Sequence, residues 1–169
     1  MSTAPHVTIA VGVLVERVKA ASQWIDHLWR PVAALAGAPD TAPWTKLGGD
    51  DERTRFYAGR ADIALHAAET GAYRDNLAAG SPSLWVILRP TLADPPYELF
   101  AVTADPYEGE AMTEGGNNIV EAVPMPQPVI DLVAVFVAEH HVERAFFKRK
   151  RDRANPEALA RRTPREHDE

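Results

Sequence analysis

The 169-residue sequence contains no cysteine. Disulfide bonds, thiolate metal ligands and a cysteine nucleophile are therefore excluded, and the composition is compatible with a reducing compartment. A long hydrophobic run is also missing. The apolar segment that starts at Val7 is closed by Glu16 and Arg17, which is too early for a membrane span, and no positively charged segment precedes it. We therefore expect a cytoplasmic protein without a membrane span.

Motifs for several classes of chemistry are missing as well. The sequence has no G-x-x-x-x-G-K-[ST] or G-x-G-x-x-G phosphate loop and no G-x-S-x-G nucleophile motif. Its six histidines include no H-x-x-x-H or H-E-x-x-H pair. His140 and His141 are adjacent, so on a helix they would point about 100° apart. The motifs therefore identify no catalytic residue, metal ligand or cofactor.

The charges divide the chain into an acidic body and a basic tail. Residues 1–143 carry 9 Lys+Arg against 19 Asp+Glu, whereas residues 144–169 carry 9 against 5. The hydrophobic fraction of 46% is that of a globular protein, but the tail has too few apolar residues to fold alone. We predict one domain over residues 1–143 and a flexible basic tail over residues 144–169.

The hydrophobic pattern predicts an α+β domain. Residues 84–88 form the most apolar β-type run, which is typical of a central strand buried on both faces. Because Pro31 has no N–H group, we expect its strand at a sheet edge or in a bulge. We predict a curved antiparallel sheet of about five strands, covered by a C-terminal helix and followed by the disordered tail. The candidate strands are residues 7–17, 24–35, 53–66, 84–88, 97–103 and 119–123, and the candidate helices are residues 69–78, 106–112 and 129–142.

The densest group of recognition-type side chains lies between residues 24 and 30. Tryptophan and arginine are the residues that most often anchor protein interfaces. The alternative is that both tryptophans belong to the core and their polar neighbours reach out to solvent. A short polar helix at residues 69–78 offers further contacts. The predicted partner-contact residues are Trp24, Asp26, His27, Trp29, Arg30, Tyr73, Arg74 and Asn76.

The basic tail is the other candidate contact. A cluster of cations there could bind nucleic acid or an acidic protein surface. The alternative is a solvated tail that binds no partner and aids solubility. The acidic body would repel phosphates, so nucleic-acid binding is disfavoured. The tail residues predicted to make the contact are Lys148, Arg149, Lys150 and Arg151.

Six short segments of the chain form an ordered set of motifs: residues 29–32, 56–59, 69–77, 83–90, 120–126 and 147–153. In this order they resemble a proteobacterial family catalogued as domain-of-unknown-function family 3305. The resemblance extends over most of the chain, to about Arg153, and it carries over no catalytic residue. It implies a genomic context near the genes for molybdenum-dependent formate dehydrogenase. It also implies a label that some members carry, molybdopterin-guanine dinucleotide biosynthesis protein A.

This resemblance implies two functions. The first is a non-catalytic accessory or assembly protein that binds a formate dehydrogenase subunit or its maturation factor. The alternative is a transferase in molybdenum-cofactor biosynthesis, although residues 35–39 match only the beginning of the nucleotide-binding loop of such an enzyme. A cleft in which Arg30, Arg74 and Arg89 converge would favour the transferase, whereas an exposed aromatic patch would favour the binding protein.

Overall fold

A computed structural model describes residues 6–114 and 116–141. Strands dominate this part of the chain, and short helices lie between and after them. The predicted tail over residues 144–169 and its contact residues lie outside the described residues. The strands are β1 (His6–Lys19), β2 (His27–Ala36), β3 (Thr45–Gly49), β4 (Arg53–His66), β5 (Ser83–Pro90), β6 (Tyr97–Thr103) and β7 (Ile119–Pro124), and the helices are α1 (Thr70–Ala78), α2 (Pro106–Ala111) and α3 (Gln127–His140).

The strands form two antiparallel sheets. The larger sheet has the order β2-β1-β4-β3, and the smaller has the order β6-β5-β7. The α+β class is confirmed, but the prediction of a single sheet of about five strands was wrong. The apolar run at residues 84–88 does form a central strand, although of the smaller sheet. Hydrophobicity identified six of these strands but missed β3, because residues 36–51 are rich in Pro, Gly and Asp and were expected to form a loop. It also left open which strand pairs with which.

The core lies between the two sheets. β4 approaches β6 and β2 approaches β7, while α1 and α3 pack against each other. In β1 the alternate residues Ile9, Val11, Val13 and Val15 are buried, and each contributes about 1.5–3 kcal/mol through removal of apolar surface from water. The other core side chains are Ala58, Ile63, Leu65, Tyr73, Leu84, Val86, Leu88, Val102, Ala104, Val123, Met125, Val129, Val133 and Phe136.

Two backbone features of the larger sheet follow from its sequence. β2 is an edge strand, and its register against β1 shifts where Val15 faces Pro31, so both expectations for this proline hold. In β1, a Cβ atom at Gly12 would lie 2.8 Å from Cε1 of Tyr57 and 3.0 Å from Cδ of Pro39. Glycine therefore lets the segment after β2 fold closely over the outer face of this sheet.

The strand predicted to begin at Trp24 begins three residues later. β2 starts at His27, and the backbone N–H of Ala20 donates to the carbonyl oxygen of Asp26, which closes the connection between β1 and β2. Within it, the N–H of Trp24 donates to Oγ of Ser22 at 3.1 Å. These local hydrogen bonds compete with strand pairing, so the connection is a turn rather than part of the ladder.

The three predicted helices are confirmed. Asp105 caps α2, because its carboxylate accepts from the backbone N–H groups of Tyr107 and Glu108. Gly80 follows α1 with φ of +82°, the left-handed conformation that ends many helices. α3 is 14 residues long, and within residues 6–114 and 116–141 no helix is long and apolar enough to cross a membrane.

Helix α1 is attached to the smaller sheet through one buried side chain. Nδ2 of Asn76 donates to the carbonyl oxygens of Ser83 at 2.8 Å and Ala104 at 2.9 Å. Its Oδ1 accepts from the backbone N–H of Ser83 at 3.0 Å. Asn76 is 3% exposed, so these bonds satisfy buried groups that water cannot reach.

We predict that Asn76→Ala lowers the free energy of unfolding by about 2–4 kcal/mol, since three hydrogen bonds are lost and backbone groups are left without partners. Urea denaturation measures this change. The neighbouring Asp75→Ala is the control. It loses one exposed hydrogen bond, from the Tyr107 hydroxyl at 2.9 Å, so we expect it to cost less than about 1 kcal/mol. Equal effects of the two substitutions would contradict the role assigned to Asn76.

Candidate functional site

A charged row crosses the outer face of the larger sheet. In the strand registers, Glu16 of β1 lies opposite Arg30 of β2 on one side and Arg55 of β4 on the other, and Arg55 lies opposite Gly48 of β3. Arg53 is two residues from Arg55 along β4, so it points to the same face. Three strands, β1, β2 and β4, therefore bring one carboxylate and three guanidinium groups together, and β3 places Gly48 beside them.

Glu16 is the centre of this group. Its Oε1 lies 2.8 Å from Nη1 of Arg53 and 3.7 Å from Nη2 of Arg30, and its Oε2 lies 3.4 Å from Nη2 of Arg55. The side chain of Glu16 is 4% exposed, whereas the three arginine side chains are between 51% and 62% exposed. The carboxylate is thus buried beneath guanidinium groups that reach solvent, which satisfies the need of a buried charge for partners.

A cleft of about 310 Å³ opens at this row. Its lining includes Glu16, Arg53 and Arg55 together with Leu47, Gly48 and Gly49 of β3. The side chains of Arg53 and Arg55 therefore form one wall, and Leu47 with the main chain of Gly48 and Gly49 forms the opposite wall. A cleft of this kind can hold an anionic group by charge and by hydrogen bonds from guanidinium N–H groups.

Aromatic rings fill the other face of the same end of the sheet. Trp29 lies at the centre, with ring centroids 5.8 Å from Trp44, 5.7 Å from Phe56 and 6.4 Å from Tyr97. The guanidinium carbon of Arg17 lies 5.3 Å from the Phe56 centroid and 5.7 Å from that of Trp29. Trp29 is thus partly buried in an aromatic cluster that a cation–π contact extends.

Trp24 has the opposite environment. It lies in the turn between β1 and β2 and is 86% exposed. Ile25 and Leu28 beside it are also exposed, and Arg30 follows Leu28 on the same face of β2. We call these four residues the hairpin patch: Trp24, Ile25, Leu28 and Arg30. An apolar group next to a cation in solvent is the composition of a protein-contact surface.

The predicted contact residues between 24 and 30 therefore separate. Trp24, Asp26 and Arg30 are exposed and His27 is half-buried, whereas Trp29 packs into the aromatic cluster. For Trp29 the structure favours the core interpretation, and for Trp24 it favours exposure. The sequence could not distinguish these two environments, because Trp24 and Trp29 are the same residue type and lie in the same short stretch of mixed polar and apolar residues.

The predicted contact residues on α1 require a correction. Tyr73 and Asn76 are buried, so they form no part of an accessible surface. The Tyr73 hydroxyl accepts from the backbone N–H of His66 at 2.9 Å and lies 3.5 Å from the carbonyl oxygen of Ala64. Burial raises the pKa of Tyr73 above the ordinary tyrosine value, which keeps this hydroxyl protonated. These two side chains attach α1 to the sheets.

Arg74 is exposed, but it has a partner within the fold. Its Nη1 lies 3.2 Å from Nε2 of His141, and Nδ1 of His141 lies 3.1 Å from Oγ1 of Thr70. Since arginine can only donate, Nε2 of His141 accepts and Nδ1 carries the proton toward Thr70. This network joins α1 to the residue that follows α3.

The arginines proposed to converge do not meet. Arg30 faces Glu16 and Arg74 contacts His141, while Arg89 donates from Nε and Nη2 to Oε1 of Glu98 at 2.8 Å and 2.6 Å. The arginines that do converge are Arg30, Arg53 and Arg55. Sequence reasoning missed Glu16, Arg53, Arg55 and Gly48. The available signal was a single acid at the end of the apolar β1 run and two arginines at alternate positions in β4.

Across residues 6–114 and 116–141, the structure contains no group of three or more His, Asp or Glu side chains arranged to hold a metal ion.

The fold and this surface define a two-sheet α+β protein with an apolar hairpin patch beside an arginine-lined cleft. Residues 10–151 match the family described as "Protein of unknown function (DUF3305)". Because this match spans more than half of the 169 residues, the chain belongs to that family, and the resemblance of its motifs is confirmed. No curated protein and no solved structure matches the chain.

The different environments of Trp29 and Trp24 predict that their replacement by alanine has different effects on the free energy of unfolding. We expect Trp29→Ala to lower the free energy of unfolding by about 2–4 kcal/mol, because three aromatic contacts and the Arg17 contact are lost. Trp24→Ala should change it by less than about 0.5 kcal/mol, since Trp24 is in solvent. Thermal and urea unfolding of both variants measure the difference. A loss at Trp24 as large as that at Trp29 would contradict this assignment.

Proposed function

We propose that the protein is a non-catalytic accessory protein that acts by binding another protein. The observation that carries this proposal is the exposure of Trp24 at the end of the first hairpin. A single exposed apolar side chain is ordinary, but the stretch from Trp24 to Leu28 exposes three of them close together in the chain. Trp24→Ala is expected to be nearly neutral for folding, so the side chain is available for an interface.

The chemistry of the patch indicates what kind of partner surface it fits. Trp24 supplies a large apolar anchor, and Arg30 supplies a cation at its margin. The Arg53 and Arg55 side chains lie farther along the same face and are also half-exposed. We therefore expect a partner surface with an apolar depression bordered by acidic groups, because complementary charge guides association and fixes orientation.

The identity of the partner comes from the family resemblance. That resemblance implies a genomic context near the genes of molybdenum-dependent formate dehydrogenase, and on this ground a subunit of that enzyme or one of its maturation factors is the proposed partner. The accessory role would then be in assembly, cofactor insertion or stabilisation of that enzyme. Cytoplasmic location is part of the same proposal.

The transferase of molybdenum-cofactor biosynthesis is the alternative. The observation that favours it is the arginine-lined cleft, although its arginines are Arg53 and Arg55 rather than the set that the sequence suggested. A transferase also needs a group that activates the attacking atom, and the motifs of the sequence identify no such residue. Two antiparallel sheets differ from the alternating β and α units of the guanylyltransferase that the family label suggests. We therefore place the binding protein first.

Affinity purification from native cells with quantitative mass spectrometry tests the leading proposal. We expect the tagged protein to recover a formate dehydrogenase subunit or maturation factor, and Trp24→Ala to reduce that recovery at least about tenfold, as loss of an interface anchor does. Leu132→Ala is the matched control, because Leu132 is an exposed apolar residue on α3. It should leave recovery unchanged.

The outcomes separate the parts of the proposal. Recovery of a different protein that depends on Trp24 would retain the binding role and reject formate dehydrogenase. Equal recovery with wild type and Trp24→Ala would reject the hairpin patch as the contact. Purification of the protein alone, with turnover of a nucleotide in vitro, would favour the transferase.

A further inference from the structure

The charged row has more cationic groups than its one carboxylate neutralises. Each guanidinium group has five N–H donors. Only Arg53 forms a short bond to Glu16, at 2.8 Å, while the distances from Arg55 and Arg30 are 3.4 Å and 3.7 Å. Within residues 6–114 and 116–141, these arginines form no ion pair with another acidic side chain. Most of their donors can therefore serve a further acceptor.

The cleft at this row is open because β3 has a glycine at the critical position. Gly48 lies opposite Arg55, so a side chain at residue 48 would point to the same face as Arg55. A Cβ atom built there meets no other atom within 4 Å. The resulting volume of about 310 Å³ is at the lower end of the range of about 300–1,000 Å³ for small-molecule sites.

We infer that this cleft binds a small molecule through a phosphate or carboxylate group. The planar guanidinium group presents paired N–H donors that match the oxygens of either group. Glu16 holds the arginines in position before the ligand arrives, which lowers the ordering cost of binding. Trp24 is not part of the cleft, so the inference does not rest on the proposed protein contact.

The acidic turn between β3 and β4 is the main opposing charge. It carries Asp50, Asp51 and Glu52, and Oδ1 of Asp50 accepts from the backbone N–H groups of Glu52 and Arg53. Among the described residues, none of these three carboxylates forms an ion pair with a guanidinium group of the cleft. The turn therefore leaves the donors of Arg53 and Arg55 free for a ligand, although its charge weakens the attraction of the cleft for anions.

Isothermal titration calorimetry of the full chain at constant ionic strength tests the site, with pyrophosphate and malonate as separate probes. We expect saturable binding of at least one probe, and the preferred probe distinguishes phosphate from carboxylate. Arg53→Gln and Arg55→Gln should each weaken it at least about tenfold, through loss of a charge-assisted hydrogen bond.

Two further variants separate ligand binding from stability. Gly48→Val keeps every charge and every ion pair of Glu16, but places a side chain in the cleft, and it should abolish binding. Arg60→Gln is the matched control, since Arg60 lies on the same strand, is equally exposed and pairs with Asp62 instead. It should bind as wild type does, and so should Trp24→Ala.

The inference is overturned if neither probe gives saturable binding to the wild-type protein. It is also overturned if Gly48→Val, shown to be folded by circular dichroism, binds the probe with unchanged affinity. Loss of probe binding in Gly48→Val with normal recovery of a protein partner would support the cleft as a site distinct from the hairpin patch.

Discussion

The whole arrangement depends on the pairing of β1 with a strand on each side. β1 pairs with β2 from Gly12 to Lys19 and with β4 from His6 to Val18. Pairing on both sides fixes which residues point inward, and a shift by one residue would exchange the two faces. The valines at alternate positions then enter the core, while Glu16 emerges on the outer face between two arginines. Stability and the charged cleft thus come from the same ladder.

Adjacent residues in β1 consequently meet opposite environments. Glu16 is surrounded by guanidinium groups on one face, and Arg17 lies against aromatic rings on the other. Each charge is compensated by a different means, an ion pair in the first case and a cation–π contact with a hydrogen bond to Thr54 in the second. The end of the sheet can therefore carry buried charge on one side and an aromatic cluster on the other.

The sequence predicted local features well and pairing poorly. The run at residues 84–88, the cap at Asp105 and the edge position of Pro31 were correct, because each depends on the chemistry of a few neighbouring residues. The division into two sheets depends on register between distant strands, which periodicity does not encode. The row through Glu16 was missed for that reason, since its members come from four strands.

Polar residues of a recognisable motif need not be functional. The α1 motif at residues 69–77 resembled a contact surface, yet Tyr73 and Asn76 bind backbone groups inside the fold and Arg74 contacts His141. A buried polar side chain with all its partners costs much to replace, so such a motif can identify a fold without identifying a site. Trp24 is the opposite case, because its ring is exposed and contributes little to the stability of the fold. Function in this family is therefore better sought among side chains that stability does not require.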